Sequence, residues 1–266
     1  MNIKKPDKKS DKKIDNIFVV GTGTGVGKTV LSLLLMQFFY KKGYNPFYLK
    51  PLQTGCKDPY DIDSDARFIY KHVANLSQKD PADSVIYCFK APKAPYFAAR
   101  NEEKTIEATV IQKAVNQKSL AHNPVIIEAA GGLFVPVTKK MLVIDLIEMI
   151  NAKPVIAAQA GLGTINHTLL SIEALQNRGI QPKGVVFINA TSPPAPSPPV
   201  SEEMIKENIE AVEKFSSVKV YGVVGQISDF SNPKFFSNPS NLTAGNHTSN
   251  IILPPHPFDP LLSHCS

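Results

Sequence analysis

The sequence predicts an α/β fold, a single domain in which a mainly parallel sheet is flanked by helices. Two observations carry that expectation. Short, continuous apolar runs alternate along the chain with amphipathic stretches, the pattern of strands buried on both faces and joined by crossover helices. A glycine-rich turn also connects the first apolar run directly to the first amphipathic stretch.

In chain order, strands are expected at IFVV (17–20), NPFYLK (45–50), PVIIEAA (124–130), KPVIAAQ (153–159), GVVFINA (184–190) and VKVYGVVG (218–225). Helices are expected near 28–42, 63–73, 105–116, 141–151, 164–178 and 201–215. TSPPAPSPPV (191–200) holds five prolines, which cannot donate to a ladder, so it reads as an extended surface loop. From Phe230 the chain turns rich in Asn, Ser and Pro, with IIL (251–253) and PLL (260–262) as its apolar anchors. The expected organisation is therefore a basic tail over 1–13, one domain over 14–230, and an irregular C-terminal extension over 231–266.

Composition excludes several classes. At 266 residues, 43% hydrophobic and 20% charged, the chain can bury a real core and is not disordered throughout. Three cysteines (Cys56, Cys88, Cys265) are too few and too irregularly spaced for a disulfide scaffold, which suggests free thiols in a reducing compartment. No run approaches the roughly 18 apolar residues of a membrane helix, and the N-terminal lysines lack an apolar run behind them. The expectation is a cytoplasmic protein without membrane association. Of the net charge of +6, six lysines and three aspartates in residues 1–15 supply +3. With only Arg67, Arg100 and Arg178 as arginines, the body lacks the clustered basic surface of a nucleic-acid binder.

The most informative stretch is IFVVGTGTGVGKTVLSLLLMQFF. A buried strand runs into Gly21, Gly23, Gly25 and Gly27, then Lys28 and Thr29 open a helix. Such a loop turns its N–H groups inward and, with the positive helix end, cradles phosphates. Gly25, Val26, Gly27, Lys28, Thr29 and Val30 are thus the candidate nucleotide site, with Lys28 reaching the β- and γ-phosphates and the Thr29 hydroxyl ligating Mg²⁺. The fold is accordingly expected to be a P-loop fold. The spacing departs from GxxxxGK[ST], because Thr22 stands at the first glycine and Gly21 comes one residue early.

Further candidates lie at strand ends. Lys50, in KPLQTG, can add a second cation where charge develops during group transfer. In DIDSDARFIYKH, Ala66 and His72 stand where a calcium loop needs Gly and Glu, so that reading fails; Asp65 can instead serve as a capping residue or complete a Mg²⁺ shell. Glu128 closes VIIE, a charge after apolar residues that must be paired, protonated or on a ligand. GLGTINHTLL opens a helix whose N-terminus, with Thr164 and Asn166, can hold an anionic group.

Together, GTGTGVGKT, KPLQTG, SDA, EAAGG, GLGTINHTLL and GVVFINA resemble the dethiobiotin synthetase family in order and spacing, over about 17–225. The resemblance implies a homodimeric P-loop enzyme that uses ATP, Mg²⁺ and CO₂ to close a cyclic urea on 7,8-diaminopelargonate, in biotin synthesis. It implies Thr29, Asp65 and Glu128 as magnesium ligands and Lys28, Lys50 and Thr54 around the γ-phosphate and carbamate. Asn189 would read adenine, and Gly163, Thr164 and Asn166 would bind the substrate carboxylate across the dimer interface. Gly23, Ala129, Tyr96 and Gly225 depart from the family's usual Asp, Gly, His and Pro, and the proline-rich loop and the extension have no family counterpart. The alternatives are a partitioning-type ATPase switch, which usually carries a second lysine where Thr22 and Gly23 stand, and a degenerate, non-catalytic homologue.

Overall fold

The structure is a computed structural model, and it describes residues 12–189, 200–225, 227, 230 and 258–262. Its elements in chain order are β1 (Ile17–Gly21), α1 (Lys28–Lys41), β2 (Phe47–Thr54), α2 (Asp65–His72), β3 (Val85–Phe89), α3 (Pro95–Asn101) and α4 (Ala108–Ala121). They continue as β4 (Val125–Gly132), α5 (Val143–Ile150), β5 (Lys153–Gln159), α6 (Thr164–Gln176), β6 (Gly184–Ile188), α7 (Glu202–Ser216) and β7 (Val220–Val224). The strands form one sheet in the order β3-β2-β4-β1-β5-β6-β7, and every pairing is parallel. All strand C-termini therefore lie along one edge, where open parallel sheets bind ligands.

The six expected strands and six expected helices are present. The structure adds β3 and α3. β3 escapes a search for continuous buried runs because it is an edge strand: four of its five residues are only partly buried, with Phe89 alone fully inside. α3 is seven residues long and starts on Pro95, too short to show a helical period.

Period-two alternation divides β1 between two cores, as a doubly covered sheet requires. Phe18 and Val20 face the layer containing α4, α5, α6 and α7, while Ile17 and Val19 face α1 and α2. α1 is apolar almost all round, burying Leu31, Leu33, Leu34, Leu35, Met36, Phe38 and Phe39, and such a helix needs cover on its outer side too. The chain beyond β7 contributes to that cover. Phe258 and Leu261 are buried in the α1 layer, with the Phe258 ring edge-on to Phe38 at 5.6 Å. Asp259 pairs with Lys42 at 2.7 Å, and the Gln37 amide donates to the Phe230 carbonyl at 3.2 Å. Residues 191–199 of the expected proline-rich loop, and the IIL anchor, lie outside the described residues.

Near the N-terminus, Ile14 is buried and its N–H donates to Asn123 Oδ1 at 2.9 Å. The Asn123 amide donates to the Lys12 carbonyl at 2.8 Å, and Lys13 Nζ to the Ser119 carbonyl at 2.8 Å, so the chain is tied to α4 and the start of β4 from residue 12 onward.

Candidate functional site

β1 is central, flanked by β4 and β5, and ends in the glycine loop that caps α1. Gly27 is the N-cap of α1 at φ 90°, left-handed backbone that costs a side-chain-bearing residue. It also touches β6: a Cβ there would lie 2.5 Å from Ile188 Cγ2, inside van der Waals contact. Asn189 is the next residue along the chain after that contact. Gly21 accounts for the irregular spacing, since a Cβ on it would lie 2.6 Å from Val26 Cγ2 and 2.7 Å from the Gly23 carbonyl oxygen. The tight turn that the motif's first glycine permits is made one residue earlier.

The loop, β2, α2 and β4 bring four predicted residues into one cluster. Thr29 Oγ1 lies 2.7 Å from Asp65 Oδ1 and 3.0 Å from Glu128 Oε1, so its single proton faces two carboxylates. Lys50 Nζ lies 2.8 Å from Asp65 Oδ2, 2.8 Å from Glu128 Oε1 and 3.1 Å from the Ala129 carbonyl oxygen. Lys50 is 4% exposed and Glu128 1%, whereas the Asp65 side chain, at 26%, opens toward solvent. Lys28 is buried beside the cluster and donates to the Gly23 carbonyl at 2.8 Å. The departure at Ala129 leaves this arrangement whole, because Lys50 uses its backbone oxygen and its methyl group packs into the opposite core.

Local sequence explains how Asp65 arrives there. Ser64 caps α2 by accepting from the Arg67 N–H, which frees Asp65 at the first helical position to turn inward. Its own N–H donates to Gln53 Oε1 at 3.2 Å, tying the start of α2 to β2. Sequence reasoning missed Gln53 and also Tyr48, whose hydroxyl donates to Glu128 Oε2 at 2.9 Å. The only signal for Tyr48 was strand alternation, which puts it on the same face as Lys50; strict alternation puts Gln53 on the other face and gave no signal for it.

Burial and charge set the protonation states. Burial, reinforced by the Lys50 charge, pushes the Lys28 ammonium down to about 8. For Lys50 burial acts in the same direction, but Asp65 and Glu128 outweigh it and hold its pKa above the ordinary lysine value. Burial would raise Asp65, yet Lys50 prevails and its carboxyl is held below the usual range. Burial, then the Glu128 charge, drives the Tyr48 phenol well above its ordinary value. The cluster thus offers a hydroxyl and two carboxylates, all hard oxygen donors suited to Mg²⁺, between two lysines suited to phosphate.

The remaining predicted residues line the same edge without joining the cluster. Thr54 ends β2, half-buried. The Asn189 N–H donates to the Val224 carbonyl at 2.7 Å. Gly163 caps α6 at φ 87°, Thr164 is buried with its hydroxyl 3.4 Å from that of Thr168, and Asn166 faces solvent.

A parallel sheet whose central strand feeds a glycine loop, with a lysine and a hydroxyl at the helix start, defines a P-loop nucleotide-binding protein. Residues 15–234 match the family model described as AAA domain. Similar curated proteins are more specific: the ATP-dependent dethiobiotin synthetase BioD of Halalkalibacterium halodurans is 36% identical, covering 79% of this chain and 84% of its own. The BioD of Fusobacterium nucleatum is 34% identical over 85% of this chain and 100% of its own, and that of Methanococcus vannielii 31% over 80% and 95%. This chain belongs to the dethiobiotin synthetase family. Among solved structures, the MinC:MinD cell division protein complex of Aquifex aeolicus aligns with TM-score 0.50 at 14% identity, covering 82% of this chain and 85% of that one, a likeness of fold alone.

Proposed function

We propose that the chain carries out the ring closure for which its relatives are named, as an ATP- and Mg²⁺-dependent ligase that joins CO₂ to 7,8-diaminopelargonate and releases dethiobiotin, ADP and phosphate. The observation that carries this reading is the convergence of Thr29, Lys50, Asp65 and Glu128 beside the P-loop lysine. A partitioning-type switch is the weaker reading, since the likeness to MinC:MinD is one of fold at 14% identity, against 31–36% to the synthetases named above.

In this scheme one substrate amine takes up CO₂ and loses a proton, giving a carbamate. A carbamate oxygen attacks the γ-phosphorus, the bond to ADP breaks, and a carbamic–phosphoric anhydride forms. The second amine then attacks the carbamate carbon, expels phosphate and gives up a proton to solvent, which closes the urea ring. Little covalent work falls to the protein, so positioning and cationic stabilisation must supply the rate. Lys28 faces the β- and γ-phosphates, and Lys50 with Thr54 faces the carbamate. Gly25, Val26, Gly27 and Val30 shape the phosphate cradle and Asn189 contacts adenine. Mg²⁺, held by Thr29, Asp65 and Glu128, would neutralise phosphate charge.

The substrate carboxylate sits at the far end of an alkyl chain from the amines and must be held there. Gly163, Thr164 and Asn166 at the α6 N-terminus suit it, a helix start offering roughly half a positive charge. Leu162, just before that helix, and Leu170, midway along it, are 97% and 56% exposed, apolar surface consistent with a homodimer in which α6 serves the neighbouring subunit. Residues 14–230 form the catalytic domain in this reading, with 1–13 as a basic tail and 231–266 as an extension. No described helix is long and apolar enough to cross a membrane. In this reading the enzyme works in the cytoplasm on small molecules. The test is whether diaminopelargonate plus bicarbonate stimulates ATP hydrolysis by the purified protein with stoichiometric dethiobiotin. ATP turnover indifferent to both compounds would overturn it.

A further inference from the structure

Tyr48 touches no substrate group in the proposed ring closure, yet its hydroxyl meets Glu128, the most buried acid of the cluster. It lies two residues before Lys50 on β2, so both side chains leave the strand on one face. Tyr48 pairs with Ile126 across β2 and β4, which puts Glu128, two residues beyond Ile126, on that face as well. The ring is 1% exposed, and its hydroxyl donates to Glu128 Oε2 at 2.9 Å. Lys50 and Thr29 both take the other oxygen, Oε1. The two oxygens of one carboxylate are therefore divided, one bound to a buried phenol and the other presented to the P-loop.

Tyr48 is itself fixed. Its carbonyl accepts from Ser84 Oγ at 2.6 Å, that hydroxyl lies 2.8 Å from Tyr70 OH, and Ser84 is fully buried. A glutamate carboxylate otherwise turns easily about its last torsion, and Mg²⁺ demands near-octahedral geometry from few protein oxygens. We propose that Tyr48 is a positioning residue for the reaction: by occupying Glu128 Oε2 it locks the carboxylate so that Oε1 alone is offered to the metal. This rests on the assignment of Glu128 as a magnesium ligand.

The experiment compares Tyr48→Phe, Glu128→Gln and the double variant, with Mn²⁺ as a paramagnetic probe on the ADP-bound protein and Mg²⁺ titrated in the steady state. Tyr48→Phe keeps the ring and removes the one hydrogen bond. Loss of a partner behind a metal ligand typically costs about 10–100-fold in affinity, so Mn²⁺ binding should weaken by that factor. The Michaelis constant for Mg²⁺ should rise in parallel, with kcat at saturating metal changed much less. The double variant should bind Mn²⁺ no more weakly than Glu128→Gln alone, since Tyr48 acts through that carboxylate. Tyr48→Leu, which also gives up the ring, should show the same affinity loss with a larger fall in melting temperature. Unaltered Mn²⁺ affinity in either folded tyrosine variant, whatever the melting temperature, overturns the proposal. If Glu128→Gln also leaves Mn²⁺ affinity intact, the ligand assignment falls too; if it alone weakens binding, only the role of Tyr48 is refuted.

Discussion

Replacing Lys50 by methionine tests the charge logic of the site. The ammonium lies 2.8 Å from both Asp65 and Glu128 and is 4% exposed, so it compensates two carboxylates, of which Glu128 is out of reach of solvent. Methionine fills a similar volume but leaves the Glu128 side chain, 0% exposed, without its ion-pair partner. Breaking a buried pair by removing one partner costs about 3–5 kcal/mol. At about 2–4 °C per kcal/mol for a chain of this size, the melting temperature should fall by about 6–20 °C in metal-free buffer. Mg²⁺ should recover part of that loss in Lys50→Met and stabilise the wild type less, because in the proposed scheme it restores positive charge to the same carboxylates. The pH dependence has a fixed sign. Lys50, held high, stabilises fully below the unfolded lysine pKa of about 10.4 and loses its effect only as pH rises through its folded value. Asp65, held low, stabilises above its unfolded pKa of about 3.9 and loses its effect as pH falls through the folded value. The wild-type advantage should therefore be flat between about pH 5 and 7, shrink in acid, and change again as pH rises through the Lys28 value of about 8, which the Lys50 charge helps to lower. Scanning calorimetry with and without Mg²⁺ decides the matter; an unchanged melting temperature in metal-free Lys50→Met would refute the compensation argument.

In the proposed scheme Lys28→Ala removes the main cation facing the phosphates and should lower turnover by about 10²–10³, as loss of a preorganised charge stabiliser does; wild-type turnover would defeat the phosphate assignment. Asn166→Ala should raise the Michaelis constant for diaminopelargonate and leave that for ATP nearly unchanged, and sedimentation should find a dimer; an active monomer would count against the shared site. Phe258→Ala deletes a ring fully buried against Phe38. It should cost up to about 3–5 kcal/mol in denaturant unfolding, with a smaller loss if the 258–262 segment undocks before the body unfolds, which proteolysis of the C-terminus would reveal.

The alternation of apolar runs with amphipathic stretches determined the α/β class, and the glycine–lysine–threonine turn determined where phosphate chemistry would be sought. These are local signals: strand and helix periods are written within a few residues, and so is a loop that must expose its N–H groups. Lys50, Asp65 and Glu128 were likewise visible one at a time, as a strand-end cation, a helix-start acid and a charge after apolar residues. Their mutual distances were not. Only the strand order, with β4 set between β1 and β2, brings Glu128 against both Thr29 and Lys50, and sequence period does not encode which strands become neighbours. The same adjacency created the Tyr48 contact, for which Tyr48 alone looks like any apolar strand residue. β3 was missed because an edge strand buries one face and lacks the continuous apolar run of its neighbours. The cover supplied to α1 by Phe258 and Leu261 was half legible: an all-round apolar helix demands a partner, but only the folded chain decides that residues more than two hundred positions away provide it.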